Sequence, residues 1–118
     1  MGPPEAIRFA DQWIEAWNAR DVEGVLAHYA DDVVFTSQVA SRVVPESGGV
    51  IRGKEALRQY WNLALQSNKD LHFDLVAVYV GVNTLVLTYR NESGASVNEV
   101  MTFEHGLITV GHATALRE

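Results

Sequence analysis

Val97-Asn98-Glu99-Val100-Met101-Thr102-Phe103-Glu104, followed by His105-Gly106 and then Leu107-Ile108-Thr109-Val110, is the stretch on which the fold turns. Side chains along a strand alternate between faces, so Val97, Glu99, Met101 and Phe103 share one side and Asn98, Val100, Thr102 and Glu104 the other. The odd face is apolar except for Glu99. If His105-Gly106 is a two-residue turn, Glu104 opposes Leu107, and the pairs Phe103–Ile108, Met101–Val110 and Glu99–His112 follow in register. The expectation is a carboxylate and an imidazole facing each other on the inner side of a sheet. A three-residue loop would send His112 outward instead.

Upstream of this hairpin, Gly81-Val82-Asn83 and Glu92-Ser93-Gly94 mark two more turns, and together the three signals divide four runs rich in Val, Leu, Thr and Tyr beyond Leu71. Four antiparallel strands joined as a meander is the economical reading. By the same parity Phe73, Leu75, Ala77 and Tyr79, then Leu85, Leu87 and Tyr89, face inward. The even set, Val76, Val78, Val80, Val86 and Val100 beside Thr88 and Thr102, is too apolar for a solvated face. It predicts a homodimer through that surface, with Val76, Val78, Val86 and Val100 at the contact.

The first half reads as helical. From Pro4 to Asn18, Ala6, Phe9, Ala10, Trp13, Ala16 and Trp17 recur at helical spacing. Asp21 is placed to cap a second, shorter helix carrying Val22, Val25, Leu26 and Tyr29 and ending near Ala30-Asp31-Asp32. Val33 to Thr36 reads as a short strand, Ser37 to Arg52 as an irregular connection or lid, and Gly53 to Ser67 as a third helix bearing Leu57, Tyr60, Trp61 and Ala64 on one stripe. Helices followed by consecutive strands imply an α+β fold: a curved antiparallel β-sheet wrapped around three N-terminal-half helices.

Composition narrows the function classes. At 118 residues the chain is expected to be one domain over residues 1–118, with no internal repeat. No cysteine is present, which removes disulfides, thiolate metal sites and a cysteine nucleophile. Nine Lys and Arg against fifteen Asp and Glu give a net charge of −6, so neither nucleic acid nor an anionic membrane is an expected partner. Met1-Gly2-Pro3-Pro4-Glu5 lacks the basic start and apolar middle of a signal peptide, and the expected location is cytoplasmic. Four histidines without HxH or HExxH spacing predict no metal site, and His28, His72 and His105 are expected at the surface. No nucleophile elbow, phosphate loop or dinucleotide fingerprint occurs, and no cofactor is expected. Thr36, Ser37 and Ser41 read as turn or cap hydroxyls. Arg42 and Arg52 either clamp a carboxylate ligand or hydrate the connection that carries them.

The aromatic residues carry the remaining signal. Trp13, Trp17, Tyr29, Phe35, Tyr60, Trp61 and Tyr89 all fall on inward stripes. With Met101 and Phe103 from the long strand, they are expected to line a pocket for a small apolar or aromatic ligand, with Glu99 near its floor. Glu99 is then either a satisfied structural carboxylate or a general acid/base. Burial raises its pKa, and a protonated His112 beside it would lower it.

Several segments resemble the SnoaL-like branch of the nuclear transport factor 2-like superfamily. They are Trp17-Asn18-Ala19-Arg20-Asp21-Val22-Glu23-Gly24-Val25, Tyr29-Ala30-Asp31-Asp32-Val33-Val34-Phe35, Ile51-Arg52-Gly53-Lys54-Glu55-Ala56-Leu57 and Glu99-Val100-Met101-Thr102-Phe103. The resemblance spans essentially the whole chain in the family's order and implies a cone of curved sheet and three helices around a central pocket. It also implies a ketosteroid isomerase-like template, whose late-strand acid falls on Glu99. That template's base position here reads Ser37 and its helix tyrosine reads Trp13, which speaks against steroid isomerisation by that route. The expected activity is a cofactor-independent isomerase or polyketide cyclase-like reaction on a carbonyl compound, with Glu99 and His112 as catalytic pair. The alternative is a non-catalytic module that binds a ligand or a partner protein in the same pocket.

Overall fold

Asp21 shows how local chemistry sets the start of the fold. Its carboxylate accepts from the Gly24 amide at 2.9 Å, capping a five-residue helix, α2 (Val22–Leu26), immediately after the long helix α1 (Pro3–Asn18). A Cβ on Gly24 would lie 2.4 Å from Asp21 Oδ2, so a side chain there would push the capping carboxylate aside. The computed structural model describes residues 2–117. Beyond α2 follow β1 (Tyr29–Thr36), α3 (Gln38–Val43), a 3-10 turn (Pro45–Ser47), β2 (Val50–Arg52), α4 (Lys54–Ser67), β3 (Asp74–Val80), β4 (Thr84–Arg90), β5 (Ser96–Glu104) and β6 (Leu107–Ala115).

The six strands form one mixed sheet in the order β2-β1-β6-β5-β4-β3. The last four make the expected antiparallel meander, and β1 joins β6 in parallel, pairing Phe35 with Gly111. The α+β cone therefore stands, with its sheet open and mixed at one junction. Trp13, Trp17, Leu57, Tyr60 and Trp61 from α1 and α4 are buried against Leu85, Leu87, Tyr89 and Met101 of the sheet.

Three boundaries differ from expectation. The second helix stops at Leu26 rather than near Asp32, because the Ile108 amide donates to the His28 carbonyl at 2.9 Å and Tyr29 pairs with Ile108, drawing the chain into the sheet. The segment 37–52 is ordered: Ser37 Oγ accepts from the Val39 amide to start α3, and Val50, Ile51 and Arg52 pair with Thr36, Phe35 and Val34. Strand β3 carries a bulge between Leu75 and Ala77, so Tyr79, expected inside, is 61% exposed, whereas Val78, expected outside, packs on the core. The outer face thus carries Val76 and Tyr79, both exposed, beside Val86 and Val100.

The segments quoted above have structural work to do. The Asn18 side chain donates to the Phe73 carbonyl at 2.9 Å and accepts from the Phe73 amide at 2.8 Å, standing in for a strand neighbour. Arg20, with φ of 60°, donates to the carbonyls of Leu65 and Asn68, both at 2.8 Å, and neutralises the C-terminal end of α4. Arg58 pairs with Glu23 at 2.8 Å and with Glu55, tying α4 to α2.

Candidate functional site

Between the helices and the sheet lies a cavity of about 760 Å³, within the range of small-molecule sites. Its walls come from α1 (Trp13, Trp17), β1 (Phe35), α4 (Tyr60, Trp61), β4 (Tyr89) and Phe73, just ahead of β3. The rings hold one another in place: Trp17 meets Trp61 edge-on at 5.0 Å, and Phe73 stacks on Tyr89 at 4.2 Å. Its mouth is polar and includes Gln38 and Arg42 of α3, Asn91, Glu92 and Ser93 of the β4–β5 turn, and Arg117. A second groove, of about 340 Å³ between Ser96 and Arg117, carries no aromatic residue.

Glu99 lines this cavity and is 4% exposed. The strand alternation that turns Val97 and Met101 toward the core forces it inward, opposite Leu87 and Ala113. Its Oε2 is sealed from solvent and has no hydrogen-bond partner among the described residues. Burial pushes its pKa up to about 8, so at neutral pH most molecules carry the neutral acid. The same desolvation raises the tyrosines around it, Tyr60 and Tyr89, and both feel the Glu99 charge as a further raising influence. Trp17 Nε1, on the same cavity wall, is a second buried polar atom without a partner among the described residues. The Tyr60 hydroxyl reaches Ser37 Oγ at 3.5 Å, a long and weak bond.

His112 does not join Glu99. The two-residue turn forms as expected, with His105 and Gly106 at φ of 52° and 80° and Glu104 opposite Leu107. One extra residue then enters β6: Phe103 pairs with Ile108 but Thr102 with Val110, leaving Thr109 unopposed. Met101 accordingly faces Gly111, Glu99 faces Ala113, and His112 opposes Val100 on the outer face. There its Nδ1 shares a 2.6 Å hydrogen bond with Thr36 Oγ1.

Of the expected pocket residues, Trp13, Trp17, Phe35, Tyr60, Trp61 and Tyr89 line the cavity, and Tyr29, Met101 and Phe103 do not. Tyr29 and Met101 are each 1% exposed within the core, and Tyr29 lies just behind the cavity wall, its hydroxyl accepting from Trp13 Nε1 at 3.2 Å and its ring edge-on to Trp61. Phe103 packs edge-on against Phe9 at 5.5 Å. His28 is half-buried beside Phe9 at 4.9 Å rather than at the surface, and burial lowers its pKa. Sequence reasoning missed Phe73 as a wall residue and the polar mouth on α3. The turn Glu92-Ser93-Gly94 was visible as a turn, but nothing in it indicated a cavity rim. Among the described residues no three His, Asp or Glu side chains gather as a metal site.

The family model for the SnoaL-like domain matches residues 10–111. This chain belongs to the SnoaL-like family. Among solved structures, a SnoaL-like protein of unknown function from Burkholderia thailandensis is 33% identical over 98% of both chains, with a TM-score of 0.91. A protein from Burkholderia pseudomallei described as nuclear transport factor 2-like is 18% identical over 94% of this chain and 90% of that one, with a TM-score of 0.75. A putative polyketide cyclase from Sinorhizobium meliloti is 14% identical over 87% and 90%, with a TM-score of 0.71, and so shares the fold. No match was found among curated proteins. Membership of a fold family does not fix a reaction, so the reaction must be argued from the cavity itself. Among the described residues no helix of this family member is long and apolar enough to cross a membrane.

Proposed function

We propose that this SnoaL-like protein is a cofactor-independent acid/base enzyme, of the isomerase or cyclase type, acting on a small, mostly apolar carbonyl compound. The observation that carries the reading is the Glu99 carboxyl, whose buried Oε2 has no hydrogen-bond partner among the described residues, on the wall of an aromatic cavity large enough for a bicyclic ligand. A buried acid without a hydrogen bond is costly, and sites that keep such a group commonly use it. With a pKa of about 8, Glu99 has both forms accessible near neutrality. That is the condition for efficient general acid/base catalysis.

In this reading the ionised Glu99 removes a proton from the carbon beside the substrate carbonyl. The C–H electron pair becomes the enolate double bond, and charge moves to oxygen. The proton now on Glu99 returns to a different carbon, giving an isomer with no change in oxidation state. Trp17 Nε1–H, buried and unpartnered, is the candidate donor to the enolate oxygen. His112, on the outer face, has no part in this step.

The test uses β-tetralone, a bicyclic ketone with acidic α-hydrogens, incubated with the protein in deuterium oxide. Wild type should accelerate exchange of those hydrogens over buffer, and Glu99→Gln should return the rate to that of buffer. A ketone that binds wild type and Glu99→Gln equally and exchanges at the buffer rate with both would identify a binding module instead.

A further inference from the structure

We infer that Arg42 makes the mouth of this cavity an acid-recognition site, so that the preferred ligand is an aromatic carbonyl compound bearing a carboxylate, with the carboxylate at the mouth and the ketone toward Glu99. The inference rests on the cavity being a ligand site and adds which ligands it selects.

Arg42 sits in the last turn of α3 and lines the cavity. Burial and the Glu99 charge raise the Tyr60 phenol, and the Arg42 guanidinium is near enough to oppose them by favouring that group's ionised form. Among the described residues no carboxylate lies within ion-pair distance of it, although the chain carries fifteen Asp and Glu against nine Lys and Arg. Arg42 thus brings a cation to the entrance of the cavity in a protein whose net charge is −6. Arg117 stands at the same mouth, donating to Gln38 Oε1 at 2.7 Å, so a second guanidinium is held close by. Against these two cations the lining has two carboxyl groups, Glu92, exposed on the turn, and Glu99, inside.

The planar guanidinium presents paired N–H donors that match the two oxygens of a carboxylate. Between that rim and Glu99 the walls are aromatic and offer few polar contacts. An apolar ring system with an acid at one end and a ketone at the other satisfies both ends of such a site. A neutral ligand leaves the Arg42 end unused.

The experiment compares 6-acetyl-2-naphthoic acid, ionised at about pH 6, with its methyl ester, by calorimetric titration of the whole protein. Quenching of the intrinsic fluorescence locates binding, because all three tryptophans, Trp13, Trp17 and Trp61, line the cavity. Wild type should bind the acid about tenfold or more tightly than the ester, and Arg42→Gln should reduce that preference to about threefold or less by weakening the acid alone. Arg42→Lys should retain part of the preference, and Arg52→Gln, which alters an exposed cation away from the lining, should retain all of it. Equal affinity for acid and ester in wild type, or a preference that survives Arg42→Gln, overturns the inference while leaving the cavity a ligand site. Binding of neither compound refutes the site itself, and the inference with it.

Discussion

Met101 and Glu99 stand two residues apart on the same face of β5, and both are almost fully buried, at 1% and 4% exposure. Their surroundings are opposite. Met101 is enclosed by the core away from the cavity lining, and Phe103 beyond it is closed over by Phe9. Glu99, one strand repeat away, borders a cavity bounded by Trp17, Tyr60 and Tyr89. The backbone imposes the same burial on both positions, so the methionine is explained by packing and the glutamate is not. A carboxyl without a partner at a position where methionine would fit marks the end of the fold that is shaped by something other than stability.

The largest effect should come from moving the acid to the filled end. Met101→Glu puts an unpartnered carboxyl where no cavity adjoins it, and should cost on the order of 5 kcal/mol, lowering Tm by roughly 20 °C or leaving no cooperative transition. A variant that melts within a few degrees of wild type would show that the two ends are not different in kind.

The pH dependence of wild type sharpens the same contrast. The folded-state pKa of Glu99 is raised from 4.5 to about 8, so between those values the native state holds a proton that the unfolded chain has released. Stability is therefore greatest from this group below about pH 4.5 and is lost as pH rises toward 8, by roughly 3 to 5 kcal/mol across the window. Denaturant titrations at several pH values should show this decline in wild type and a flatter profile in Glu99→Gln. Equal profiles would mean that Glu99 is solvated in the folded protein.

Replacing the acid by its apolar near-isostere should then raise stability. Glu99→Met removes a desolvated group that has no hydrogen bond to lose, and should gain about 1 to 3 kcal/mol at neutral pH, or about 4 to 12 °C in Tm. A fall in Tm would reveal a structural network around the carboxylate and favour the binding-module reading.

The inward direction of Glu99 was legible because β5 pairs without interruption from Val97 to Thr102. The same rule applied to β3 and β6 failed, since each contains one residue with no partner across the ladder. No glycine or proline lies within four residues of Val76, and Gly106 and Gly111 flank Thr109 without marking it, because the pairing that defines a bulge is a tertiary fact. That single slip at Thr109 removed His112 from the site. The helix and strand within 37–52 were hidden for another reason: six and three residues are too short to display a period, and β2 exists only because β1 offers it an edge. Of the rings expected at the cavity, Trp13, Trp17, Tyr60 and Trp61 were read from helical stripes, and Phe35 and Tyr89 from strands. What no stripe distinguishes is a ring that fills space, as Tyr29 does, from one that borders it, as Tyr60 does.

The smallest effect tests the bulge itself and thereby the register on which Glu99 and its neighbours were judged. Simple alternation from Leu75 would put Val76 and Val78 on the same outer face, and Val76→Ala and Val78→Ala would then cost equally little. With the extra residue between Leu75 and Ala77, Val78 opposes Leu87 on the inner side while Val76 remains 57% exposed. Val78→Ala should therefore be the costlier of the two by about 1 kcal/mol, read as a difference of about 4 °C in Tm, because only Val78 leaves apolar contacts unfilled. Leu87 also pairs with Glu99, so a shift of β3 by one residue would alter the support beneath the cavity as well as the outer surface. Equal costs for the two alanine variants would place the strand in the unbulged register, turn Tyr79 inward, and require the wall facing Glu99 to be redrawn.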